Sequence, residues 1–190
     1  MNEYLEASER VEVIRSYALA SGLKTFVETG TAGGDTTAAL IDEFNRLYTI
    51  EVGEAAYEAA CQRFADEPKV HCILGDSAKV LVDLCPTIDT AVYWLDGHFC
   101  SGPKGEKECP LLEELAAITA AGRHNVILID DARLLGADPV PPHTERWPSL
   151  DNVLAALIEY QVEVADDIVR AVWDSSASAS ARRSGIVTLV

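Results

Sequence analysis

The sequence predicts an α/β protein built on a mostly parallel sheet. Three observations lead there. Short β-rich runs alternate strictly with helical stretches between residues 8 and 160, the runs are apolar enough to be buried on both faces, and consecutive runs are far enough apart for a helical crossover. Such crossovers are right-handed, so helices cover both faces of the sheet.

The elements follow in order. Residues 8–21, rich in Ala, Glu and Arg at helical spacing, predict a first helix, and 25–28 a first strand. Helices over 35–44, 54–65, 78–84, 108–121 and 150–160 alternate with strands over 47–51, 69–74, 90–95 and 125–129. Beyond residue 160 the pattern changes. Residues 162–173 read as one longer strand, 174–184 as a Ser/Ala/Arg loop and 185–190 as a final strand, the two strands pairing as a hairpin. There is no internal repeat, and residues 1–190 are expected to form one domain.

Charge narrows the function classes. Fifteen Lys and Arg against 31 Asp and Glu give a net charge of −16, the reverse of the surface that nucleic-acid backbones or anionic lipids attract. The first residues are acidic and polar, without the basic and apolar regions of a leader. A soluble, cytoplasmic protein is expected. Five cysteines form an odd set without a CxxC pair, which predicts reduced thiols rather than a disulfide framework or zinc ribbon.

Ligands of open α/β sheets bind beyond the carboxyl ends of strands, so the residues after each run carry the functional argument. The first strand leads into Glu28-Thr29-Gly30-Thr31-Ala32-Gly33-Gly34-Asp35-Thr36, a Gly-rich turn opening a helix and allowing backbone to approach a ligand closely. Its spacing is not GxGxxG. Glu51, about twenty residues on, is placed to accept hydrogen bonds from both ribose hydroxyls. After the third strand Asp76, followed by Ser77, either receives an adenine amino group or caps the next helix. Together the three strand ends describe an adenosine pocket.

The stretch Glu28-x-Gly30-x-x-x-Gly34-x-Thr36 resembles the first motif of class I S-adenosylmethionine-dependent O-methyltransferases, in the metal-dependent branches that act on catechols and on sugars. The resemblance spans roughly residues 25–135. It implies a Rossmann-like, seven-stranded sheet with a C-terminal antiparallel hairpin. It also implies that Glu28, Gly30, Thr31, Gly34 and Thr36 hold the methionine end, Glu51 the ribose, and Asp76 with Ser77 the adenine.

The fourth strand ends in Asp96-Gly97-His98 and the fifth in Asp130-Asp131. Carboxylates gathered at neighbouring strand ends repel unless a cation lies between them. An all-oxygen set favours Mg²⁺, with Mn²⁺ and Ca²⁺ as alternatives. Asp96, Asp130 and Asp131 are the expected ligands, and the acidic pair Asp-Asp resembles the sugar-modifying branch. The competing reading has Asp130 or Asp131 capping a turn and Asp96 paired with Arg133 or Lys104. His98 is the candidate general base and Asp96 lies beside both cofactor and metal; the Lys of the catechol branch is replaced by Phe99.

The acceptor expected is a small hydroxylated molecule, a sugar or glycosylated metabolite under the resemblance. Residues 134–148, with four prolines and Trp147, are placed to form one wall of its pocket, and the pocket either stays open or is completed by another subunit of a homo-oligomer. Two other readings use the same residues: a metal-assisted hydrolase or phosphoryl-transfer enzyme, and a non-catalytic S-adenosylmethionine-binding module.

Overall fold

The computed structural model describes residues 6–98, 103–122, 124–173 and 187–189. Eight strands form one sheet in the order β3-β2-β1-β4-β5-β7-β6-β8. Strands β1 (Thr25–Thr29), β2 (Arg46–Glu51), β3 (Val70–Leu74), β4 (Val92–Leu95) and β5 (Val126–Ile129) are parallel, with Thr29 opposite Leu95 and Leu95 opposite Ile129. The chain order reverses between β1 and β4, so a crevice opens at their carboxyl ends.

Alternation within strands divides the core. Phe26, Val92, Trp94, Val126 and Leu128 face one side, where Val11, Ile14 and Ala18 of α1 (Ala7–Ser21) cover them with Leu40 and Phe44. Val27, Tyr93, Leu95, Ile127 and Ile129 face the other, against Leu81 of α4 (Ser77–Leu84), Leu115 and Ile118 of α5 (Leu111–Ala120) and Val153 of α6 (Leu150–Ala156). Helix α3 (Glu54–Arg63) lies by β2 and β3, and α2 (Asp35–Ala39) follows the Gly-rich turn.

The seven-stranded Rossmann-like arrangement with antiparallel C-terminal strands is present, but its hairpin lies elsewhere than expected. Residues 162–173 are not one strand: β6 (Tyr160–Ala165) and β7 (Ile168–Trp173) pair antiparallel around Asp166 and Asp167, and β7 inserts antiparallel beside β5. Both aspartates have left-handed backbones, φ 52° and 64°, which a two-residue hairpin turn requires and Asp tolerates. The expected final strand is β8 (Val187–Leu189), an eighth strand running parallel to β6 instead of closing that hairpin. The intervening loop expected over 174–184 lies outside the described residues.

Four helices are shorter than their periodicity suggests, the third stopping at Arg63. The second stops at Ala39 and continues as turns, the fifth begins at Leu111 because Glu108 is drawn into a loop contact, and the sixth ends at Ala156 so that Tyr160 can open β6. No helix among the described residues is long and apolar enough to cross a membrane.

Candidate active site

A cleft of ≈ 390 Å³ runs along the carboxyl ends of β1, β2 and β4. Gly30, Glu51, Gly75, Ser77, Asp96 and His98 line it, and residues 103–107 form a strap across it. The volume lies in the range of small-ligand sites.

The Gly-rich turn is built for backbone proximity. Gly30 has φ 83°, and a Cβ there would stand 2.3 Å from the carbonyl oxygen of Asp96, so the first and fourth strand ends touch through glycine. Glu51 clasps the same turn, its two carboxylate oxygens accepting from the backbone N–H groups of Ala32 (3.0 Å) and Gly53 (2.8 Å).

Other expected cofactor residues lie behind this surface. Glu28 is 2 % exposed and accepts from the hydroxyls of Thr37 and Thr49, both at 2.8 Å; burial pushes its carboxyl up to about 7. Thr31 is buried against the Thr49 hydroxyl at 2.6 Å. Gly34 turns the chain into α2 at φ 72°, where a Cβ would meet the Phe64 ring at 2.9 Å, and Thr36 sits in the first turn of that helix beside Glu28. Asp76 has the capping role: it accepts from Ala78 N–H (3.1 Å) and, across the strap, from Glu106 N–H (2.7 Å). Ser77 lines the cleft.

The strap is thereby tied to the β3 end of the cleft. A second loop closes the aspartate end. Glu108, buried, accepts from Thr144 N–H (2.8 Å), the Thr144 hydroxyl (2.7 Å) and Glu145 N–H (3.1 Å), which holds its carboxyl down at about 2, while Glu145 accepts from Glu108 N–H (3.0 Å). This clasp sets Trp147, 7 % exposed, against the His98 ring with centroids 4.5 Å apart. The wall expected from residues 134–148 is therefore also packed structure.

At the heads of β4 and β5 lie the carboxylates. His98 stands between two of them, Nδ1 3.3 Å from Asp96 and Nε2 3.1 Å from Asp131. Arg133 reaches Asp131 at 2.5 Å and is anchored outside by Asp167, on the hairpin turn. Burial, reinforced by Asp130, raises Asp96 to about 7. At Asp131 burial works the same way, but the hydrogen bonds from His98 and Arg133 outweigh it and hold the group down at about 2. Asp131 also carries a left-handed backbone at φ 57°.

Asp130 stands apart from the other expected ligands. Its side chain is 1 % exposed and its Oδ2 lies 2.7 Å from Nη1 of Arg10, on α1. The donors that converge within 4.8 Å are those of Asp96, His98 and Asp131, a mixed nitrogen and oxygen set without Asp130. Three aspartate oxygens converging on a hard cation are not what these side chains provide, because Arg10 already holds one of them. Sequence reasoning missed Arg10 and Glu108; neither lies in a motif, and Arg10 is 120 positions from its partner.

No family model and no curated protein sequence matches the chain. Solved structures do. An O-methyltransferase from Bacillus cereus in complex with S-adenosylhomocysteine superposes with a TM-score of 0.65 at 16% identity, over 92% of this chain and 84% of that one. The fold is that of class I methyltransferases. TomG, an O-methyltransferase of Streptomyces achromogenes involved in tomaymycin synthesis, gives 0.63 at 18% identity over 92% and 84% of the two chains. The N-methyltransferase NodS of Bradyrhizobium japonicum gives 0.59 at 17% over 88% and 96%. The same scaffold thus serves oxygen and nitrogen acceptors in its neighbours, and the acceptor atom must be argued from the site.

Proposed function

We propose that the protein is an S-adenosylmethionine-dependent O-methyltransferase acting on a small hydroxylated molecule, a sugar or glycosylated metabolite being the class the sequence resemblance favours. The observation that carries this reading is the cleft itself: one end presents Glu51 and the Gly30 turn, the other the Asp96–His98 pair. Glu51 is placed for a ribose, and the small residues Gly30 and Gly75 leave room for a purine nucleoside beside it.

S-adenosylmethionine supplies a sulfonium methyl that passes in line to a nucleophile. The chain must orient the acceptor hydroxyl and take its proton. Asp96 lines the cleft with its carboxyl near neutrality, and His98 at 3.3 Å shares the proton with it, so the two form an acid–base dyad at the cleft floor. Asp131 and Trp147 fix the imidazole from its other edge and face. Mg²⁺, or Mn²⁺ or Ca²⁺ in its place, belongs to the same resemblance, but with Asp130 facing Arg10 the side chains present do not fit a three-aspartate site. The net charge of −16 favours a small acceptor over nucleic acid or an anionic membrane.

Calorimetric titration with S-adenosylmethionine and S-adenosylhomocysteine, each with Mg²⁺ and with chelator, tests the reading. Binding with Kd on the order of micromolar that tolerates chelator, followed by methyl transfer to a hydroxylated panel, is expected. Absence of binding to both would overturn it.

A further inference from the structure

Helix α1 is joined to β1 by the short link 22–24, so it runs antiparallel to β1 and its N-terminal turns lie at the carboxyl ends of the strands. Arg10, Ile14 and Ala18 fall at four-residue intervals along the face that meets the sheet. Ile14 and Ala18 are buried in the core beneath β4 and β5, which leaves Arg10 little choice of position. Its guanidinium spans the acidic pair, 2.7 Å from Asp130 and 3.9 Å from Asp131. Each carboxylate of the cluster then faces a partner belonging to the chain: Asp130 faces Arg10, Asp131 faces Arg133 and His98, and Asp96 faces His98.

We propose that Arg10 is the tethered counter-ion of this cluster and fills the role that a divalent cation would otherwise have beside Asp130 and Asp131. The guanidinium suits that role because its planar fork reaches two carboxylates and it keeps its charge throughout the accessible pH range. The consequence is an acidic strand-end cluster that is charge-compensated without metal, and a helix whose docking completes the site. This does not depend on the methyltransferase reading, which the cofactor titration decides separately.

The test uses the full chain and Mn²⁺, with the free aqua ion followed by electron paramagnetic resonance and Mg²⁺ as competitor. Wild-type protein is expected to leave Mn²⁺ free up to concentrations on the order of 1 mM. Arg10→Gln is expected to bind about one equivalent at least ~10-fold more tightly, and adding Asp130→Asn is expected to remove that gain. Stoichiometric tight binding by the wild type, or a folded Arg10→Gln protein with no gain, overturns the proposal. If Arg10→Gln is unfolded by itself, recovery of its thermal transition by Mn²⁺ supports the proposal and lack of recovery overturns it.

Discussion

The two halves of the strand-end crevice solve the same problem differently. On the β1–β3 side, Glu28, Glu51 and Asp76 are satisfied by neutral donors: threonine hydroxyls and the backbone N–H groups of nearby turns and of the strap. On the β4–β5 side, Asp130 and Asp131 face the guanidinium groups of Arg10 and Arg133, and Asp96 and Asp131 the His98 ring; Arg10 comes from the distant helix α1, and Arg133 is anchored by Asp167 of the hairpin turn. Neutral donors stabilise a carboxylate locally and leave it able to accept from a ligand. Paired cations in a buried cluster make each partner depend on the other, since removing one leaves an uncompensated charge.

Substitutions can break this contrast, the largest effect falling where the halves meet. Gly30→Ala places a Cβ against the Asp96 carbonyl and demands a left-handed backbone, so a loss on the order of 3 kcal/mol is expected in urea unfolding, together with loss of cofactor binding. Gly34→Ala is the milder control, because the Phe64 ring it meets is a side chain that can shift.

The charged half is probed by a double-mutant cycle of Arg10→Ala and Asp130→Asn. Arg10→Ala alone should cost about 3 kcal/mol, and the coupling energy should be about 2 kcal/mol in chemical denaturation. Additive single effects would show that the pair does not hold α1 to the site.

pH probes acids on both sides, since burial raises Asp96 as it raises Glu28. Glu28 and the buried Glu114, whose carboxyl burial also pushes up to about 7, bind protons more tightly folded than unfolded. Their contribution is therefore fully present below about pH 4 and is lost as pH rises through 7. Asp131 and Glu108, held near 2, contribute the opposite dependence, lost only as pH falls toward 2. The melting temperature should rise from pH 8 to about 5.5, and Glu28→Gln should flatten that rise, adding about 2 kcal/mol at pH 8 by removing the ionised form. A flat wild-type profile would contradict the protonated state of these acids.

Smaller effects remain on the cofactor side. Glu51→Gln keeps an acceptor for the Ala32 N–H but would weaken the proposed ribose contact, so S-adenosylhomocysteine affinity should fall ~10-fold, about 1.4 kcal/mol, with stability little changed. Lys79→Ala, which removes an exposed ion pair with Glu106, should change stability by less than ~0.5 kcal/mol.

The contrast also explains what was legible in the chain. Glu51 and Asp76 each take one donor from the turn that follows them, Gly53 and Ala78, and the strand ends, the Gly-rich turn and the helix cap could be read from sequence. The Asp166-Asp167 turn was hidden by the apolar runs on either side, although two residues able to take a left-handed backbone are its signal. Arg10 carried no such mark, because an Arg on a predicted helix looks like any solvated residue.

By itself the sequence determined the alternation of strands and helices, the parallel five-strand core and the placing of acids at strand ends, because periodicity and turn chemistry act over a few residues. Only the tertiary structure decided which cation meets which acid. The docking of α1 brought Arg10 to Asp130, the β6–β7 turn anchored Arg133, and the Glu108 clasp pressed Trp147 onto His98. Electrostatic pairing acts through space, and no local spacing along the chain encodes the distance that folding imposes.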